Sequence, residues 1–165
     1  MKKGGQATIS FGMVFSIIMI IIFISFAFYA IQKFLDLQNS AQVGKFGSDF
    51  QADIDKMWKS SQGSQKYEYI LPAKIKYACF GDFGSEKKGA NQNLYDSLRQ
   101  AFYGSENFFF YPVGSAQGLN SKIVKNIDLA KIAENENPFC IENKNGKLSV
   151  TIKKGFGEAL VTTGR

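Results

Sequence analysis

Apolar residues run almost unbroken from Phe11 to Ile31 (FGMVFSIIMIIIFISFAFYAI). As a helix these residues rise about 31 Å, matching a hydrocarbon core of roughly 30 Å, and they predict a transmembrane helix over 11–31. The polar atoms inside the run belong to Ser16, Ser25 and Tyr29, and serine hydroxyls in such a helix bond back to the carbonyl one turn earlier. A core helix of a soluble domain is usually shorter and polar on one face. A cleaved secretory signal has an apolar run of roughly 7–15 residues ending in a small-x-small site, which Ala30-Ile31-Gln32 does not supply. The periodicity then changes. Ile31, Leu35, Val43, Phe46, Phe50, Ile54 and Met57 recur at helical spacings and predict a juxtamembrane stalk helix over 32–59 with one apolar face. Gly44 and Gly47 predict a bend or break, with Ser48-Asp49 capping a second helix to about Trp58. Trp58 is expected in that packing.

From 60 to 165 the pattern is that of a small α+β domain. SSQGSQ (60–65) reads as a loop, and Tyr67–Leu71 and Lys74–Phe80 read as strands separated by Pro72, with Ile75, Tyr77 and Cys79 on one face. Residues 81–93 are rich in turn formers. Leu94, Leu98, Ala101 and Phe102 mark one side of a short helix ended by Gly104. Phe108–Val113 reads as a strand whose aromatics serve the core or a subunit contact, followed by a loop over 114–122. Ile123, Ile127 and Ala130 suit a short helix, and Asn126-Ile127-Asp128 equally suits a new turn. The sharpest local signal is Asn145-Gly146 between alternating runs, which predicts a two-residue type I′ hairpin. That register opposes Asn143 to Leu148, Ile141 to Val150 and Phe139 to Ile152. It puts Phe139, Ile141, Leu148, Val150 and Ile152 on the core face and Cys140 on the other. Glu158–Thr162 would add a short strand. The fold class is α+β: a long transmembrane and stalk helix, then an antiparallel sheet with short helices.

Charge orients this picture. No Asp, Glu, Lys or Arg occurs between Lys3 and Lys33. Lys2, Lys3 and the α-amino group precede the span, whereas Lys33, Asp36, Lys45 and Asp49 follow it and cancel. The positive-inside rule then places the N-terminus in the cytoplasm and the domain outside, a single-pass arrangement in the cell membrane. The net charge of +6 is scattered among acids and suits mild attraction to anionic lipid or an envelope polymer. No nucleic-acid module is present. An exported domain permits a Cys79–Cys140 disulfide, and two buried free thiols are the alternative.

Candidate chemistry is sparse. The chain has no histidine, which removes the usual general base and the commonest nitrogen metal ligand. GDFGSEKKG lacks the spacing of a phosphate-binding loop. Asp53/Asp55, Asp49/Asp53 and Glu134/Glu136 read as solvated faces or caps. No catalytic residue, metal or cofactor is expected, and the sign of an enzyme would be a polar cleft that the sequence does not foretell.

Lys2-Lys3-Gly4-Gly5-Gln6-Ala7-Thr8-Ile9-Ser10-Phe11 resembles the N-terminus of archaeal proteins with a pilin-type (class III) signal peptide, over about the first 35 residues. The resemblance implies a short basic leader and junction over 1–10, cut between Gly5 and Gln6 by a prepilin-type peptidase. It also implies an apolar helix that anchors the chain in the bilayer and forms a filament core with other pilin-like subunits. Such subunits usually carry glutamate at the fifth position after the cut, where this chain has Ser10. The resemblance thus makes the chain a pilin-like structural subunit or surface or secretion-system component. The alternative is a stand-alone single-pass protein whose outer domain binds a partner protein or envelope polymer.

Overall fold

The computed structural model describes residues 10–165. The chain forms two compact units, one ending at Leu37 and one spanning Gln38–Arg165. One helix, α1 (Phe11–Trp58), runs through both. Its start is capped by Ser10, whose Oγ accepts the Met13 amide at 3.3 Å. Ser16 and Ser25 each donate to the carbonyl one turn earlier, Gly12 and Ile21, at 2.8 Å. Within a bilayer those bonds satisfy hydroxyl donors that hydrocarbon cannot.

The second unit, hereafter the head, is built on the other part of α1. Val43, Phe46, Phe50, Ile54 and Met57 are buried, whereas Ile31 and Leu35, on the same predicted stripe, are exposed. No break interrupts the helix at Gly44 or Gly47, and Ser48-Asp49 starts no second helix. Two helical glycines cost about 1 kcal/mol each relative to alanine, and burial of Phe46 and Phe50 outweighs that. Gly47 has a packing reason to be small: the Lys122 ammonium donates to its carbonyl, and a Cβ built there would lie 2.9 Å from Lys122 Nζ. Burial holds the Lys122 pKa below the usual lysine value. At Gly44 an added Cβ would meet nothing within 4 Å. Gly44→Ala is therefore expected to stabilise the head by about 1 kcal/mol, and Gly47→Ala to gain less because Lys122 must move. Urea denaturation followed by fluorescence of Trp58, the single tryptophan, compares the two variants. Equal gains would rule out the Lys122 contact as a constraint. At the far end, Lys154 Nζ donates to the carbonyls of Trp58 (2.6 Å) and Ser60 (2.9 Å), satisfying carbonyls where the helix stops.

Seven antiparallel strands follow: β1 (Gly63–Ile70), β2 (Tyr77–Phe80), β3 (Phe108–Tyr111), β4 (Ser121–Lys122), β5 (Phe139–Lys144), β6 (Lys147–Lys154) and β7 (Thr162–Gly164). Their order is β1-β6-β5-β2-β3-β4, with β7 also on β6. The sheet is buried on both faces over β2 and β3. One face meets α1 through a cluster including Tyr69, Phe80, Phe108, Phe110, Ile141, Leu148, Val150 and Ile152. The other carries Cys79, Cys140 and Phe109 beneath a segment comprising a 3-10 turn (Gln92–Leu94) and α2 (Tyr95–Arg99), through Leu94, Leu98 and Ala101. The chain is thus α+β.

Several sequence-level expectations change in detail. β1 begins at Gly63, inside the polar stretch read as a loop, because Gly63, Ser64 and Gln65 find partners in Lys154, Lys153 and Ile152. β2 begins only at Tyr77, since Pro72–Ile75 forms a turn closed by the Ile75 amide on the Pro72 carbonyl. Ile75 consequently lies in the α1-side core, while Tyr77 and Cys79 lie on the opposite face. β4 falls in the stretch read as a loop. Asn126 has φ +62°, so the turn reading holds there, and the helix, α3 (Leu129–Ile132), starts later, capped by Asp128 on the Lys131 amide.

The Asn145-Gly146 turn has positive φ at both residues, +54° and +83°, as a type I′ turn requires. Asn143 opposes Leu148 as expected. The other two expected oppositions do not form. β5 pairs with β2 over Phe139–Glu142, and β7 takes the β6 edge over Thr151–Lys153, so the hairpin forks. Arg165 closes the fork. Its Nε donates to the Cys140 carbonyl at 3.0 Å, its guanidinium pairs with Glu136, and it lies 4.8 Å from the Phe139 ring centre. The strand expected at Glu158–Thr162 is β7, shifted toward Gly164 because Glu158 turns back to bond the Gly155 amide.

Candidate functional site

The first unit offers an apolar helix surface. Phe11–Trp58 contains an 18-residue stretch apolar enough to cross a membrane, none of it buried against the protein. Ile17, Ile21, Phe26 and Phe28 are all exposed, and an aqueous setting would leave that surface in water at about 25 cal/mol per Å². The chain is a membrane-associated protein with one apolar helix and a folded domain.

A concavity of about 610 Å³ lies on the sheet face of the head away from α1. The α2 segment covers β2 and β3 on that face but leaves β1, β6 and the end of β5 bare. Side chains alternate along each strand, so Lys66 and Glu68 (β1), Lys147 and Ser149 (β6), and Glu142 and Lys144 (β5) form the floor, with Tyr77, Asn91 and Arg165 around it. Glu68 faces Lys147 at 3.8 Å and Glu142 faces Lys144 at 3.6 Å. These exposed pairs are worth little and exchange readily for contacts with a ligand. Such a surface suits ionic and hydrogen-bonded contact. No local sequence signal points to it, because it arises from which strands pair and from what α2 leaves uncovered.

The residues singled out in the sequence disperse. Gly5 and Gln6 lie outside the described residues. Ser10 is the α1 N-cap. Cys79 and Cys140 are directly opposed in register and joined by a disulfide, buried under α2 and remote from α1. Asp53 and Asp55, expected on a solvated face, tie α1 to the head. Asp53 accepts the Tyr69 hydroxyl at 2.7 Å, and burial together with that carboxylate pushes the phenol pKa well up. Asp55 accepts from Asn126 at 2.9 Å and from Gln51 at 2.8 Å, bonds that hold its pKa below the usual carboxylate range. Asp49 pairs with Lys45 at 2.6 Å on the surface. Glu136 holds Arg165. Trp58 is 40% exposed and donates its indole N–H to the Ala159 carbonyl at 3.0 Å. Among the described residues no three His, Cys, Asp or Glu side chains are grouped to hold a metal.

No family model, no curated protein and no solved structure matches the chain.

Proposed function

We propose that this is a single-pass membrane protein whose head lies outside the cytoplasm and binds a partner protein or envelope polymer there. The observation that carries this reading is α1 itself. The same helix presents an unburied apolar stretch long enough for a bilayer and, further on, forms the core of a folded domain. The lysines ahead of the span support the orientation, and a buried disulfide suits an oxidising compartment. A membrane-impermeant amine reagent applied to intact native cells is expected to label head lysines such as Lys74 and Lys144. Labelling that appears only after lysis would reverse the orientation.

A second reading, a pilin-like subunit, is favoured by one specific feature: α1 passes Gly44 and Gly47 without a break. The helix continues past Ile31, as this reading expects, and its apolar part anchors the chain and assembles against other subunits. In this reading a prepilin-type peptidase releases a chain starting at Gln6. Ser10 then supplies a helix cap and no carboxylate to meet a neighbour's new ammonium. Intact-mass analysis of the native protein tests it: loss of residues 1–5 supports this reading, and a chain still starting at Met1 or Lys2 removes it.

A further inference from the structure

β1 is a bare sheet edge. It is eight residues long, it pairs only with β6, and no described element lies along its other side in the sheet. The Leu71 amide donates to the Gly146 carbonyl at 3.0 Å. Alternation along an antiparallel strand then turns the N–H and C=O groups of Gln65, Tyr67 and Tyr69 toward β6, and those of Ser64, Lys66, Glu68 and Ile70 outward. The opposite sheet edge, β4, is only two residues long. Sheet edges are usually blunted by shortness, charged side chains, proline, a bulge or a covering element, and of these β1 has the charged pair Lys66 and Glu68. β1 has no proline and pairs one-to-one with β6 over its whole length.

The seam between this edge and α1 holds two depressions. One, about 300 Å³, is walled by Phe46, Tyr69 and Ile70 with Lys45 and Asp49. The other, about 250 Å³, lies between Met57 and Tyr67 and is otherwise polar, with Lys56, Ser60, Gln62 and Gln65 around it. Ile70 is 69% exposed beside the first.

We infer that β1 is the head's docking edge and that its ligand is an extended polypeptide segment of a partner, added antiparallel or parallel to β1 as an eighth strand. The inference rests on the reading of the head as a binding domain and names its surface and partner class. A row of alternating donors and acceptors at strand spacing is satisfied along its length by another peptide backbone. Side chains on one face of the added strand enter the two depressions, from positions four residues apart that a strand separates by about 14 Å. Those on the other face extend the polar floor beside Lys66 and Glu68. The ligand is therefore an extended segment of about six to eight residues that places an apolar side chain in the first depression and a polar or amphipathic one, four residues along, in the second.

The test uses the full chain in lipid nanodiscs, panned against a phage library of random linear twelve-residue peptides. Enriched peptides are expected to share an apolar residue and a polar or amphipathic one four positions apart. One of them, synthesised, is expected to slow hydrogen exchange at the amides of Ser64, Lys66, Glu68 and Ile70. Proline is tolerated on an edge strand where the lost N–H faces outward. Lys66→Pro is therefore expected to keep the fold and weaken that peptide at least tenfold, with Lys66→Ala within about threefold of the parent. Glu68→Pro serves if Lys66→Pro does not fold, and the exchange pattern of the unmodified chain needs neither variant. Absence of enrichment, protection elsewhere, or equal binding by Lys66→Pro and Lys66→Ala overturns the inference. So does retention on an acidic polysaccharide with no peptide selected. Failure of membrane orientation in cells would instead overturn the proposed function and leave this result standing.

Discussion

Phe50→Ala is expected to lower the unfolding free energy of the head by about 3–5 kcal/mol. Phe50 is 1% exposed. Its ring centre lies 5.4 Å from Phe46, 5.5 Å from Phe108, 5.7 Å from Tyr69 and 6.1 Å from Phe80. It therefore joins α1 to β1, β2 and β3 at one point, where its neighbours are rigid rings that collapse poorly into a void. Small domains are stable by only about 5–15 kcal/mol, so the variant sits near the limit of folding. Phe34→Ala is the informative contrast. Phe34 is 67% exposed in the first unit, and its loss is expected to change head stability by less than about 0.5 kcal/mol. Urea denaturation of the full chain in detergent, followed by Trp58 fluorescence, measures both. A Phe50→Ala loss under about 1 kcal/mol, well below the range for a buried aromatic, would mean that α1 is not the head's central core element.

The same residues show why some of the fold was legible in the sequence. Helical spacing from Val43 to Met57 declared a buried face, because helix period and core contact coincide there. Asn145-Gly146 declared a hairpin, because few other pairs accept positive φ at two successive residues. The separation of Cys140 from the main core followed from period-two alternation. What stayed hidden was set by distant partners. The hairpin forks because β7 and Arg165 occupy the place beside β6 that Phe139–Ile141 would otherwise take, and nothing in residues 139–154 encodes that competition. Gly63–Gln65 becomes strand through a ladder to Ile152–Lys154, despite a composition that reads as loop. The glycines of α1 suggested a break because propensity is local, and the aromatic contacts of Phe46 and Phe50 are not. The outer cleft and the bare β1 edge belong to the same class. Each is defined by what fails to cover it.

Removal of the Cys79–Cys140 bridge is expected to have the other large effect, about 4 kcal/mol by the entropy of closing a loop of roughly 62 residues in the unfolded chain. The two cysteines are 61 positions apart and both buried, at 0% and 2% exposure. Their strands remain paired by backbone hydrogen bonds on both sides of the bridge, so the folded state has little to rearrange. The effect then acts mainly through the unfolded chain. The Cys79→Ala/Cys140→Ala double variant avoids burying a new hydroxyl under α2. It should match the parent chain measured in reductant, both with a urea midpoint well below the oxidised parent. Alkylation of the native protein, unfolded straight from the membrane without reductant, checks the premise in the cell. Cysteines that resist alkylation until reduced agree with a head outside the cytoplasm. Two freely alkylated cysteines, with a midpoint indifferent to reductant, would remove both the stabilisation and one support for that placement.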